Sequence, residues 1–276
     1  MKQAVYFMII SAISFTLMNL FIKHLVHFSA AQLIMFRSFG SLIFTMTYLH
    51  YKKINIVGNK HKLLFLRGLA GVSSMGLFFL AVPYLPIGTA VSLRYTAPIF
   101  ATLLAVLMLR ERIAPIQWLF IILAFAGVIV IKGFDSNINL IGLTLILCSA
   151  IASSLVYIII NKIGHSDHPV VIVNYFMWIS FLVGSSFSIF YWTTPIGIEW
   201  LLLLSLGVFG YFGQLFMTKA FQSQKTNKIV SLKYIEVIST MLAGVLWFGD
   251  QYSISSMVGI GMIITGLILN IFYKSK

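Results

Sequence analysis

The chain has 276 residues, of which 60% are hydrophobic and only 9% charged. Soluble domains carry about 25% charged residues, so a water-solvated globular fold is excluded. The formal net charge of +13 does not signal nucleic acid, which requires clustered Lys and Arg, because the basic residues here sit in short connections between apolar runs. A single cysteine, Cys148, rules out an intramolecular disulfide and any multi-cysteine metal site.

In chain order, the first apolar run extends from Ala4 to Ile22. It is longer than a signal-peptide core and no small-x-small cleavage pattern follows, so it reads as a first span. Nine further spans are expected at about 30–49, 63–82, 88–108, 115–132, 139–160, 169–191, 198–220, 226–247 and 254–273. Pro83 and Pro86 separate the third from the fourth. Pro115 and Pro169 open the fifth and seventh at first-turn positions, where proline removes no needed N–H. Gly58-Asn59, Asp135-Ser136-Asn137 and Thr193-Thr194-Pro195 mark other connections. Alternate connections divide the basic residues unevenly. Thirteen lie on one side, among them Lys52, Lys53, Lys60, Arg110 and Arg112, against Lys23 and Lys132 on the other. The positive-inside bias therefore predicts cytoplasmic N- and C-termini in a multi-pass protein of the cytoplasmic (inner) membrane. Arg37, Arg67, Arg94 and Lys233 remain inside spans.

The sequence repeats. A shift of 139 aligns 63–131 with 202–270 and pairs Gly68 with Gly207, Gly71 with Gly210, Tyr95 with Tyr234, and Val91-Ser92-Leu93 with Val230-Ser231-Leu232. A shift of 138 pairs Ser11-Ala12-Ile13 with Ser149-Ala150-Ile151. The expected fold is an all-α integral membrane protein of ten transmembrane helices in two five-helix repeats, residues 1–134 and 135–276. Five is odd, so the second repeat enters the membrane from the opposite side. Such inverted repeats commonly serve alternating access around a midplane site.

The stretch Ala81-Val82-Pro83-Tyr84-Leu85-Pro86-Ile87-Gly88-Thr89-Ala90, followed by Tyr95-Thr96-Ala97-Pro98-Ile99-Phe100-Ala101 and then Leu109-Arg110-Glu111-Arg112, resembles the EamA domain of the drug/metabolite transporter superfamily. A weaker copy runs through Glu236-Val237-Ile238-Ser239-Thr240-Met241-Leu242-Ala243 and Phe248-Gly249-Asp250. The resemblance covers essentially the whole chain and implies ten spans around a central cavity for substrate exchange. Phe36-Arg37-Ser38 and Leu66-Arg67-Gly68 resemble the S-adenosylmethionine-uptake-like branch. Two departures stand out: Arg110 occupies a place where the family often has glycine, and the Arg94/Lys233 pair is not a general family feature.

An ionisable residue inside a span costs about 2.5–3.5 kcal/mol and by default suggests a water-filled path. Arg94 lies roughly 9 Å along the fourth helix and Lys233 roughly 10 Å into the ninth. Their matching repeat positions predict two cationic substrate anchors, each followed by a tyrosine, Tyr95 or Tyr234; the competing reading is that both snorkel or pair structurally. Glu236, three residues after Lys233, either binds a proton or a substrate ammonium or neutralises Lys233. Pro98 frees the carbonyl of Arg94 and kinks the fourth helix. Asn19, Tyr157 and Gln214 are expected to line the cavity. Arg37 is expected at the periphery against a carbonyl or headgroup, and Arg67 is expected to snorkel. The first span lacks a carboxylate, which argues against the small multidrug-exporter mechanism. The glycines at 68, 71, 76, 207, 210 and 213 are expected to let spans three and eight pack closely.

His165, Asp167 and His168 read as a solvated turn rather than a zinc site, and no phosphate-binding loop for ATP is present. The sequence thus predicts a secondary transporter, not an enzyme, with no cofactor. It would move a small anionic or zwitterionic metabolite, amino-acid-like or nucleoside-like, with the lipid bilayer and the substrate as its partners and proton coupling as one role for Glu236. The alternatives are an integral-membrane enzyme acting on a lipid-linked group, a membrane scaffold, or a channel.

Overall fold

The computed structural model describes residues 2–94, 96–97, 99–101, 103–104, 114–134, 139–223 and 234–273, and every α or β element among them is an α-helix. In chain order these are α1 (Lys2–His24), α2 (Ala30–Tyr51), α3 (His61–Ala81), α4 (Ile87–Arg94), α5 (Pro115–Phe134), α6 (Leu140–Ile163), α7 (Pro169–Ser188), α8 (Glu199–Ser223), α9 (Tyr234–Phe248) and α10 (Ile254–Phe272). Short 3-10 turns follow α3 and α6. Hydrocarbon offers no hydrogen bonds, so long apolar runs fold as helices that satisfy their own backbone. Their starts are capped locally. Ser29 accepts from the amide of Gln32, Asn139 from those of Ile141 and Gly142, and Ser253 from that of Ser256.

Among the described residues, five segments are long and apolar enough to cross a membrane: Gln3–His24, His61–Tyr84, Leu140–Ser166, Pro169–Ser188 and Glu199–Ser223. Shorter apolar helices include Ser239–Phe248 and Ile254–Gly266. Helix α2 is less apolar because Gln32, Arg37, Ser38, Ser41 and Thr45 punctuate it, and all five are buried. The bundle accordingly encloses polar and charged side chains within a largely apolar core and is apolar without. Asn19, Arg37, Arg67 and Glu236 are buried, while Ile129, Phe190, Leu246 and Ile254 are exposed. That distribution suits a lipid solvent.

The helices pack in a definite pattern. α5 lies along α10, α2 along α7, and α4 against α9. α1 packs on α8 and α9; α6 packs on α3 and α4; α2 also meets α8, and α3 also meets α7. Close approach needs small residues at the crossings. A Cβ added at Gly207 would lie 2.5 Å from the Cα of Gly40, so α2 and α8 touch backbone to backbone there. The Ser41 hydroxyl donates to the Gly207 carbonyl at 2.8 Å in the same crossing. The expected packing role therefore falls differently at Gly207, which serves the α2–α8 crossing, while Gly76 meets only a side-chain methyl at 3.6 Å.

At one end of the bundle the connections are tied together. Asp167 is buried and accepts from the backbone amides of Asn59 and Lys60. The Gln222 amide donates to the carbonyls of Gly164 and Asp167, and the Tyr175 hydroxyl to that of Val57. The turn expected to be solvated is instead a joint between α2–α3, α6–α7 and the end of α8. Its acid is buried because it satisfies backbone donors, which sequence spacing does not reveal.

His168 caps α7 in this joint, its Nδ1 accepting from the Val170 amide at 3.2 Å while its ring stacks on Tyr48. Burial, and then the charge of Lys219, hold its pKa below the usual 6.5. An imidazole depressed in the folded state contributes stability that is present above the unfolded pKa and lost as pH falls through it. The thermal midpoint is therefore expected to drop as pH falls from 7.5 to 5.5. His168→Asn, which keeps a capping oxygen without titrating, should show a measurably smaller drop; equal slopes would mean that His168 contributes nothing to the pH dependence.

Candidate functional site

The centre of the bundle holds a polar cavity to which α1, α2, α3, α4, α6, α7, α8 and α9 all contribute. Its cationic wall consists of Arg37 on α2, Arg67 on α3 and Arg94 at the end of α4. Arg37 is 2% exposed and Arg67 0%. These two residues correct the expectation for them: neither snorkels nor sits at the periphery. Depth along a helix does not tell which face a residue occupies, and both occupy the inner face.

The guanidiniums share aromatic support. Arg67 lies 4.3 Å from the centroid of Phe176 and Arg37 lies 5.6 Å from the same ring, while Arg94 lies 4.7 Å from Phe78. A ring face attracts a cation, and does so more strongly where water is excluded. The Arg67 Nη2 donates to Gln214 Oε1 at 2.7 Å, whereas its Nε and Nη1 are buried with no hydrogen-bond partner. Arg37 donates from Nε to the Met18 thioether at 3.2 Å and from Nη1 to that of Met75. Thioether sulfur is a weak acceptor.

Glu236 is buried in the third position of α9 and lines the cavity. The Asn19 amide nitrogen reaches its Oε1 at 3.4 Å. Tyr157 and Gln214 also line the cavity, Tyr157 stacking on Phe221 with centroids 4.9 Å apart. The structure thus brings Arg94, Asn19, Tyr157, Gln214 and Glu236 together and adds Arg37 and Arg67. Tyr95, Pro98 and Lys233 lie outside the described residues, as does the side chain of Tyr234.

The lining follows the sequence repeat. A shift of 138 relates Phe15 to Ser153 and Met18 to Val156, and all four line the cavity. A shift of 139 relates Met75 to Gln214 and Arg37 to Phe176, again all lining it. Two hydrogen bonds correspond as well. Ser11 Oγ donates to the Gly213 carbonyl at 2.8 Å, and Ser149 Oγ to that of Ser74 at 2.7 Å. Ser11 matches Ser149, and Ser74 matches Gly213, under the same two shifts.

An apolar exterior around a buried, cation-lined cavity describes a multi-pass membrane protein. The chain belongs to the EamA-like transporter family, whose model matches residues 2–133 and again residues 140–272. It is 26% identical over 269 residues to human solute carrier family 35 member G1, covering 89% of this chain and 72% of that one. It is 25% identical over 274 residues to the pseudopaline exporter CntI of Pseudomonas aeruginosa, covering 97% and 95%. It is 26% identical over 239 residues to the S-adenosylmethionine uptake transporter of Rickettsia prowazekii, covering 86% and 81%. One crystal structure superposes with a TM-score of 0.74 over 96% of this chain and 94% of the other, at 15% identity, which shows a shared fold.

Phe176 is the single ring that both Arg37 and Arg67 approach. Phe176→Leu keeps most of the apolar volume and removes the quadrupole, so it should destabilise the protein by about 1–2 kcal/mol. A fluorescence-detected unfolding series on the purified protein measures this. An unchanged midpoint would mean that the ring supports neither cation.

Proposed function

We propose that this protein is a ten-span secondary transporter whose two five-helix repeats, 1–134 and 135–276, are inverted about an axis in the membrane plane and alternate access to the central cavity. Under exchange of the halves, the packing of α1 on α8 corresponds to that of α6 on α3. Likewise α2 on α8 corresponds to α7 on α3, and α1 on α9 to α6 on α4. The remaining close pairs, α2–α7, α4–α9 and α5–α10, map onto themselves. The observation that carries the reading is the matched pair of serine-to-carbonyl hydrogen bonds flanking a cavity lined by repeat-equivalent residues. Alternating access in such folds is largely the rocking of one repeat against the other around a fixed midplane site.

The substrate in this reading is a small anionic or zwitterionic metabolite, amino-acid-like or nucleoside-like. Arg94 and Lys233 act as cationic anchors, with Tyr95, Tyr234, Asn19, Tyr157 and Gln214 shaping the site and Pro98 kinking the fourth span. A buried cation without a counter-charge is costly, so a substrate oxyanion fits better than an organic cation. Named relatives include one uptake transporter and one exporter, and both directions are compatible with alternating access. Glu236 either couples transport to protons or offsets the positive cavity. Both termini face the cytoplasm of a cell with this protein in its inner membrane.

Topology is tested with single cysteines in a Cys148→Ala background. Cysteines at Asn59 and Ser275 should be shielded from an impermeant thiol reagent in intact cells, and those at Tyr84 and Thr194, both exposed, labelled. Strong labelling at position 59 would reverse the orientation. Transport is tested by counterflow in proteoliposomes with wild type and Glu236→Gln. A coupling role predicts that the variant loses pH dependence while exchange persists; unchanged pH dependence leaves Glu236 a charge-compensating role, and absence of exchange for any anionic or zwitterionic metabolite would sink the transporter reading for these substrates.

A further inference from the structure

Within that transporter reading, we infer that Arg67, assisted by Arg37, is the primary anion anchor of the cavity, and that its ligand is a net-negative oxyanion, a dicarboxylate or phosphate monoester, rather than a zwitterion. Charge and donor geometry lead to the same residue. Three arginines line the cavity against the one carboxylate of Glu236, which leaves two positive charges among the described residues. A zwitterion brings no net charge to offset them. A doubly charged oxyanion does, and it does so where the low dielectric makes the excess most costly.

Donor geometry singles out Arg67. A guanidinium has five N–H donors, and a fully buried one normally spends them. Arg67 spends Nη2 on Gln214 and leaves Nε and Nη1 without a partner. The Phe176 ring lies 4.3 Å from the guanidinium carbon and Gln214 holds Nη2, so the idle donors are held in place rather than free to search. Arg37, on the same ring, is held by two thioethers, acceptors weak enough for an oxyanion to replace. Gln214 contributes from the opposite repeat and keeps Arg67 aimed while the ligand is absent. A carboxylate or phosphate offers several acceptor oxygens, which is the match that arginine makes better than lysine.

A structural arginine and an anchoring one behave oppositely when removed. Loss of a structural arginine lowers stability. Loss of a charge held ready for a ligand leaves the ligand-free protein as stable or more so, because binding sites keep uncompensated groups at the expense of stability. The test uses the purified full-length protein and a four-carbon series at matched ionic strength: succinate, 4-aminobutyrate and putrescine, with glycerol 3-phosphate as the phosphate probe. Succinate or glycerol 3-phosphate should raise the thermal midpoint, the stronger of the two identifying the carboxylate or the phosphate as the preferred group, while 4-aminobutyrate and putrescine should not.

Arg67→Leu should abolish that stabilisation with a ligand-free midpoint no lower than wild type. Arg67→Lys, which keeps the charge and loses the fork, should weaken apparent affinity at least tenfold. Arg94→Gln, at the second anchor, should weaken affinity too, but by less than Arg67→Lys does. The inference is overturned if neither oxyanion stabilises the wild type, if 4-aminobutyrate or putrescine stabilises equally, if stabilisation survives Arg67→Leu, or if both Arg67 variants fail to fold. Counterflow of the stabilising oxyanion separates the two proposals. Arg67-dependent stabilisation without exchange removes the transport reading and leaves the anchor, whereas exchange undiminished in Arg67→Leu removes the anchor and leaves transport.

Discussion

Three guanidiniums surround one cavity in a bundle whose outer surface is hydrocarbon, and this excess of charge constrains everything around it. Arg37 and Arg67 are buried, each desolvated at a cost of several kcal/mol, so the fold surrounds the three with whatever a membrane interior supplies. Phe176 serves two of them and Phe78 the third. Gln214 provides the neutral oxygen that Arg67 holds. The crossings that bring these groups inward depend on contacts such as Gly40 on Gly207, where backbones meet without side chains between them. Packing and charge are therefore one problem here: the helices cannot separate without exposing arginine to lipid.

The two halves are alike in packing and unlike in chemistry. Equivalent positions hold Arg37 and Phe176, or Met75 and Gln214, so that one repeat brings a cation or a thioether where the other brings a ring or an amide. The cations described in the cavity come from the first repeat, while Gln214, Glu236 and Phe176 come from the second. A ligand bound between them touches groups from both. In the transporter reading, rocking of one repeat against the other then changes the distance between cation and acceptor rather than moving a finished site. In that reading a symmetric scaffold would provide two end states of similar energy, and the asymmetric lining would let the ligand bias them.

Much of this was legible in the sequence because lipid imposes simple rules. Apolar runs of about twenty residues, the distribution of Lys and Arg, and the Ser11/Ser149 and Gly71/Gly210 matches needed no structure to be seen. Asn19, Tyr157, Gln214, Glu236 and Arg94 stood out as polar groups in apolar surroundings; the last four line one cavity, and Asn19 is not in its lining but touches Glu236. Arg37 and Arg67 were equally visible as charges but were placed at the periphery, because position along a span gives depth and not facing. The rotation of a helix is set by its neighbours, and here Phe176, from a helix more than a hundred residues away in the chain, turns both arginines inward. Asp167 failed to stand out for a related reason. Its partners are backbone amides of Asn59 and Lys60, which carry no residue-type signal.

The thioethers beside Arg37 fit the binding role proposed for the cavity. A buried arginine held by a carboxylate would be well satisfied and inert, since a ligand would have to break a charge-assisted bond to gain one of the same kind. One surrounded only by aliphatic carbon would cost the fold too much. Methionine sulfur stands between these extremes: polarizable enough to sit against a cation, and weak enough as an acceptor to yield it. Met18 and Met75 come from α1 and α3, within the same repeat as Arg37, so in the transporter reading this contact would persist whichever way the halves tilt. Gln214 of the other repeat holds Arg67 instead, and that contact is the one a relative movement would stretch. The hydrogen bonds of the two arginines thus differ, those of Arg37 staying within its repeat and that of Arg67 crossing between repeats, and in the transporter reading the second is the one that would change as the halves move.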